Sequence, residues 1–164
     1  MRRLPMRPKD FVFIDYGCGK GRALFIAAEH SFKAAIGIEY ASDLASIAKR
    51  NIKLTMGIFQ TPIQCLEMDA MDYEPPIDDE CFFFLYSPFE GPVLERALDR
   101  ISLSYERRPR ELILCYARQS SKKSPDHKNQ IRKNMRFSQI GKTYSPIDIG
   151  ALPSIEFTLF KVIR

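Results

Sequence analysis

The residues Phe11-Val12-Phe13-Ile14-Asp15-Tyr16-Gly17-Cys18-Gly19-Lys20-Gly21-Arg22 pass from β-branched and aromatic side chains into three glycines at alternate positions. Four apolar residues in succession read as a strand buried on both faces, as in a parallel sheet. Ala23-Leu24-Phe25-Ile26-Ala27-Ala28 follows and reads as helix. Strand, glycine turn and helix start together make a place where a ligand can touch bare backbone, because glycine allows both positive φ and close approach. Spacing separates the ligands that such a turn could serve. A dinucleotide fingerprint, G-x-G-x-x-G, needs its third glycine where Arg22 stands. Here the order is D-x-G-x-G-x-G, and the Asp15 carboxylate would repel a pyrophosphate while attracting an ammonium or sulfonium group. A glycine turn serving another nucleotide, or none, is the plainer alternative.

Asp15-Tyr16-Gly17-Cys18-Gly19-Lys20-Gly21-Arg22 resembles motif I of the class I S-adenosylmethionine-dependent methyltransferases. Three later strand ends extend the resemblance. Ala34-Ala35-Ile36-Gly37-Ile38 reads as a second short buried strand, ending on Glu39-Tyr40. Glu39 stands 22 residues after Gly17, where an α/β site places the carboxylate that accepts from a ribose diol. The resemblance, here to motif II, implies that Glu39 holds both ribose hydroxyls. The competing reading is an exposed acid capping the next helix, for which Ser42 is the better N-cap candidate. Ile63-Gln64-Cys65-Leu66 is a third strand, followed by Met68-Asp69-Ala70. Asp69 resembles the family acid that accepts the adenine amino group, with the next backbone N–H, that of Ala70, meeting the ring; Asp72 is the rival for that position. Cys81-Phe82-Phe83-Phe84-Leu85-Tyr86 is the most apolar strand and ends on Ser87-Pro88-Phe89, the motif IV position beside the transferred methyl. Members acting on amines or amides often carry Asn or Asp where this chain has Ser87. A hydroxyl can accept one hydrogen bond from a substrate nitrogen but aligns it less firmly, and an ordinary strand-ending turn is the alternative. The resemblance thus implies cofactor contacts from Asp15, Gly17, Cys18, Gly19, Gly21, Glu39, Tyr40, Asp69, Ala70 and Ser87, with Ser87, Pro88 and Phe89 at the transfer step.

Further elements complete the pattern. Helices are expected from about Lys20 to His30, from Ser42 to Leu54 with Leu44, Ala48 and Ile52 on one face, and from Pro92 with a stripe of Leu94, Ala97, Leu98 and Ile101. Strands are expected at Leu112 to Tyr116, Phe137 to Tyr144 and Ile155 to Ile163, the last two joined by a loop holding Pro146, Gly150 and Pro153. Strands alternating with helices and closing on a hairpin specify an open, doubly wound α/β sheet. The resemblance implies seven strands in the order 3-2-1-4-5-7-6, mostly parallel with strand seven antiparallel, and helices on both faces. Ligands of such sheets sit at the carboxyl ends of the strands, and Asp15, Glu39, Asp69 and Ser87 all fall there. Residues 1–164 are expected to form one methyltransferase domain. Members usually carry a helix or two ahead of the first strand where this chain has ten residues, so either the cofactor site is more open than usual or, the favoured expectation, the sequence starts inside a longer parent.

The chain's 164 residues, 45% hydrophobic and 27% charged, fit one globular domain with a sizeable core. No run of about 18 apolar residues offers a membrane span, and the N-terminus lacks the apolar run of a signal peptide. Four scattered cysteines without a C-x-x-C fit a reducing cytoplasm, and with only His30 and His127 beside them no zinc site is expected. Seven cations against the single acid Asp126 between Arg118 and Arg136 give that segment +6, in a chain whose net charge is +5. It is expected to be a solvated loop with a short helix; the sharper reading is a surface for nucleic acid or an acidic partner. The function implied is methyl transfer from S-adenosylmethionine to an unidentified acceptor, with an amine nitrogen plausible. The alternatives are a module that binds S-adenosylmethionine or S-adenosylhomocysteine without catalysis and, behind it, an NAD-linked oxidoreductase.

Overall fold

The computed structural model describes residues 6–87, 89–119, 128–133, 136–144 and 155–163. Pro88, Lys122, Lys123 and the loop holding Pro146, Gly150 and Pro153 lie outside the described residues. Seven strands form one sheet: β1 (Phe11–Tyr16), β2 (Ala34–Glu39), β3 (Ile63–Glu67), β4 (Glu80–Tyr86), β5 (Leu112–Gln119), β6 (Phe137–Tyr144) and β7 (Ile155–Val162). Their order across the sheet is β3-β2-β1-β4-β5-β7-β6. β1 pairs parallel with β2 and β4, and β7 runs antiparallel between β5 and β6. All six residues of β1 are buried, as expected of a central strand covered on both faces.

Alternation along β1 divides the interior into two cores. Val12, Ile14 and Tyr16 face one, where α3 (Gly91–Arg107) contributes Leu94, Ala97, Leu98 and Ile101 and α4 (Lys128–Lys133) contributes Ile131. Phe11 and Phe13 face the other, closed by Leu24 and Ala27 of α1 (Arg22–Glu29) and Ala45 and Ala48 of α2 (Ser42–Leu54). Helices therefore cover both faces, and the α3 stripe is the one that the sequence spacing predicts.

Four local expectations need correction. α1 begins at Arg22 rather than near Lys20, because its N-cap, Gly21, is left-handed at φ 86° and prolongs the turn. α2 has Ala41 at its N-cap without a side-chain cap bond, so Ser42 does not cap it. The Ala41 N–H instead donates to Glu39 Oε1 at 2.9 Å. The fully buried residues of α2 are Ala45 and Ala48, with Leu44 and Ile52 only half-buried; the small side chains let the helix lie close on the sheet. β5 also runs on to Gln119, carried by its pairing with Ile155 of β7.

Several described cations of the basic segment are paired rather than solvated. β7 alternates inward at Glu156, which is 3% exposed. Lys128 Nζ lies 2.5 Å from its carboxylate, Lys142 Nζ 3.3 Å and Arg118 3.7 Å. Arg136 pairs with Glu106, and Arg132 donates to the Gln139 side chain. Burial alone would push the Glu156 carboxyl up, but the ammoniums of Lys128 and Lys142 outweigh it and hold the group below the ordinary range. Removing the buried carboxylate takes one shared acceptor from three cations at once, so Glu156→Ala is expected to lower folding stability by about 3 kcal/mol. Urea unfolding measures this directly, and an unshifted midpoint would refute it. Among the described residues no helix is long and apolar enough to cross a membrane.

Candidate functional site

Sheet register places the candidate residues side by side. Asp15 of β1 lies opposite Gly37 of β2, and Gly37 opposite Cys65 of β3. Past Asp15 the chain turns back over this row. The N–H groups of Gly17 and Cys18 both donate to the Ile38 carbonyl, at 2.8 and 3.0 Å. The Gly19 N–H then donates to Glu39 Oε2 at 2.8 Å. A single carboxylate thus joins the glycine turn to the start of α2, one oxygen on each. Glu39 is 8% exposed, not the exposed cap of the competing reading.

That arrangement leaves room for a ligand. A Cβ built on Gly19 would meet nothing within 4 Å, so the turn faces open space there. An ionised carboxylate offers about four lone-pair sites, and the backbone occupies two on Glu39, leaving capacity for a diol. Asp15 is 4% exposed. Burial, reinforced by the negative charge of Glu39 and then by Cys65, pushes its carboxyl up to about 7. A cation brought against it would restore the ionised form.

The other candidates take different positions. Tyr40 stands just beyond Glu39 and is 78% exposed. Asp69 is half-buried, and its Oδ1 accepts the Met71 N–H at 2.8 Å, closing a turn on itself. Ala70 is buried, while Asp72 is exposed. The Met68 N–H donates to the Glu39 carbonyl at 3.0 Å, holding this turn beside the β2 end. Ser87 has left-handed backbone, φ 41°. Its hydroxyl donates to the Ala117 carbonyl at 3.3 Å and lies 3.0 Å from Tyr116 Oη. With the serine proton given to the carbonyl, the tyrosine is the donor of that pair. Phe89 meets Tyr16 edge to face, centroids 6.4 Å apart, and packs on the core. It is half-buried and anchors the loop after β4. Arg22 opens α1 as an exposed residue.

Three residues at this end of the sheet were not singled out by sequence. Gly37 had a signal: a glycine inside an apolar strand marks close backbone approach. Tyr116 behind Ser87, and the placement of Cys65 against Cys18, had none, since both depend on pairing between distant strands. Among the described residues no three His, Cys, Asp or Glu side chains gather as a metal site would need.

Comparison with solved structures bears on the fold. No family model matches the chain, and no curated protein matches it. An S-adenosylmethionine-dependent methyltransferase from Aquifex aeolicus superposes with a TM-score of 0.70 at 12% identity, covering 96% of this chain and 85% of that one. A putative one from Listeria monocytogenes gives 0.66 at 12% identity, covering 98% and 93%. Magnesium protoporphyrin IX methyltransferase from Synechocystis, solved with S-adenosylmethionine bound, gives 0.63 at 16% identity, covering 93% and 70%. Identities this low speak for architecture alone. In strand order, the antiparallel β7 and helices on both faces, the chain has the fold of the class I S-adenosylmethionine-dependent methyltransferases.

Proposed function

We propose that the chain is an S-adenosylmethionine-dependent methyltransferase acting on a nucleophilic acceptor, an amine nitrogen by preference. The observation that carries this reading is the Glu39 carboxylate hydrogen-bonded to the open turn at Gly19, with Asp15 buried on the neighbouring strand, at the carboxyl ends of β1 and β2. Glu39 would hold the ribose diol through the lone pairs its backbone partners leave. The Gly17–Gly21 turn would receive the amino-acid end beside Asp15, and Asp69 with the Ala70 N–H the adenine edge. When bound, S-adenosylmethionine supplies an already activated methyl, so the chain's own contribution is to bind, orient and exclude water. At the acceptor end Ser87 keeps one lone pair for a donor group, its other valences being taken by Ala117 and Tyr116. Exposed cations of the 118–136 segment, Lys133 among them, would draw an anionic acceptor such as nucleic acid or an acidic protein.

A second reading, a binder of the adenosyl ligand that transfers no methyl, is favoured by Ser87 itself. A hydroxyl already hydrogen-bonded on both sides steers an amine less firmly than an amide or carboxylate. Formation of S-adenosylhomocysteine in the presence of amine, nucleic-acid or protein acceptors separates the two.

Titration calorimetry with S-adenosylmethionine and S-adenosylhomocysteine, against NAD and ATP, tests the ligand. Tight NAD binding, or no binding of either adenosyl ligand, would overturn the proposal. The raised carboxyl of Asp15 adds a pH signature. Below about 7 the buried acid is largely protonated, and a bound ammonium must expel that proton. Affinity for S-adenosylhomocysteine is therefore expected to rise about tenfold from pH 6 to pH 8 and then level off. Asp15→Asn should bind more weakly with no such slope; an identical slope would assign the effect to another group.

A further inference from the structure

The thiols of Cys18 and Cys65 lie 3.7 Å apart, closed off from bulk water at 7% and 8% exposure. Their meeting is built into the sheet. Cys65 is in register with Gly37 on the neighbouring strand, and Cys18 folds back from the glycine turn onto the same glycine. A Cβ on Gly37 would come within 2.5 Å of Cys18 Sγ, so the missing side chain is what admits the sulfur. One member of the pair thus belongs to the turn that carries Gly19, and the other to a rigid strand two positions away.

We propose that Cys18 and Cys65 are a dithiol that closes to an intramolecular disulfide on oxidation, drawing the glycine turn out of its ligand-receiving position. The effect on the ligand rests on the adenosyl reading above; the bond itself does not. A disulfide needs its sulfurs about 2.0 Å apart, so from 3.7 Å they must close by about 1.7 Å. The move falls on the Cys18 side, since Cys65 is laddered within β3 while Gly17 and Gly19 flank Cys18 with positive φ.

The chemistry balances with hydrogen peroxide as oxidant. The Cys65 thiolate attacks one peroxide oxygen, the O–O bond breaks, and the departing hydroxide takes a proton to leave as water. The resulting sulfenic acid is attacked by the Cys18 sulfur. The S–O bond breaks, and a second water departs with the Cys18 proton. Two thiols have then lost two electrons and two protons, and one peroxide has become two waters. The Lys49 ammonium acting on Cys65 gives that sulfur the thiolate role and makes Cys18 the donor of the hydrogen bond between them. Donation by Cys18 lowers the Cys65 thiol against the effect of its burial, with help from the Lys49 ammonium, whereas Cys18 is held protonated. Cys81 and Cys115 serve as internal controls, since burial pushes their thiols up to about 11 and about 12.

The test uses the full chain, reduced and then treated with hydrogen peroxide. Expected is a proteolytic fragment pair joined through Cys18 and Cys65, released by dithiothreitol, with Cys81 and Cys115 still free. Hydrogen exchange at the Gly17–Gly21 amides should change in the oxidised form and be unaltered by peroxide in Cys65→Ser. Should that variant fold poorly, Cys18→Ala, which leaves β3 untouched, serves the same purpose. Affinity for S-adenosylhomocysteine should fall about tenfold on oxidation and recover on reduction. Sulfinic acid without a cross-link, a cross-link to another cysteine, or a cross-linked chain with unchanged exchange would overturn the proposal. If the reduced chain binds no S-adenosylhomocysteine, the ligand reading fails, while cross-link and exchange still decide the dithiol.

Discussion

Glu39→Ala is expected to weaken S-adenosylhomocysteine binding by about a hundredfold and to lower folding stability by about 2–4 kcal/mol. Both effects come from the same carboxylate. Its two oxygens accept the Gly19 N–H at 2.8 Å and the Ala41 N–H at 2.9 Å. Truncation takes the acceptor from two part-buried amides, at about 1–2 kcal/mol each. It also releases the glycine turn from the head of α2, so the ligand loses its acceptor and the backbone cradle beside it together. Glu39→Gln sharpens the prediction. Its carbonyl oxygen can still accept one of the two N–H groups, but its amide must set a donor against the other. Stability should fall by about 1–2 kcal/mol, and affinity should drop nearly as far as with alanine. Glu67→Gln is the control: that acid ends the adjacent strand, is half-exposed and pairs with Lys49 at 2.9 Å, a contact worth about 0–1 kcal/mol. Calorimetry and urea melts on the three variants decide the matter. Equal behaviour of Glu39→Gln and wild type would mean that Glu39 is not the joint between turn and helix.

What sequence could and could not show at this site has a physical basis. β1, the glycine turn and Glu39 were legible because each rests on local chemistry: an apolar run, a positive φ, and a carboxylate at a strand end. The α3 stripe was legible through helical periodicity. The errors lie where contacts between distant segments decide. Ser42 has the right side chain for an N-cap, but Glu39 already holds the Ala41 N–H, and the helix begins without a side-chain cap. Arg118 and Lys128 look like solvated charge until β7 turns Glu156 inward between them. Cys18 and Cys65 are 47 residues apart, so only the register of β2 with β3 brings them together.

The same register carries a second prediction of large effect on the fold. Gly37→Ala adds one methyl group and is expected to lower stability by about 3 kcal/mol, at the upper end for overpacking a core. The new Cβ would stand 2.5 Å from Cys18 Sγ, 2.8 Å from Cys18 Cβ and 2.8 Å from Leu24 Cδ1. None of these can retreat cheaply. Gly37 is laddered between β1 and β3, the Cys18 amide is tied to the Ile38 carbonyl at 3.0 Å, and Leu24 is fully buried. Relief must come by lifting the turn that bears Gly19, so ligand affinity should fall together with stability. A second substitution separates the two neighbours. Cys18→Gly removes both sulfur and Cβ, leaving only the Leu24 clash, so the double variant should recover about 1–2 kcal/mol of the loss in a double-mutant cycle. Thermal melts read the single effect as a drop of roughly 10 °C for a domain of this size. Additivity within error between the two sites, or a Gly37→Ala chain as stable as wild type, would show that the turn does not rest on β2 through this glycine. Coupling of the expected size would show that the packing which seats the turn is the packing that brings Cys18 against Cys65.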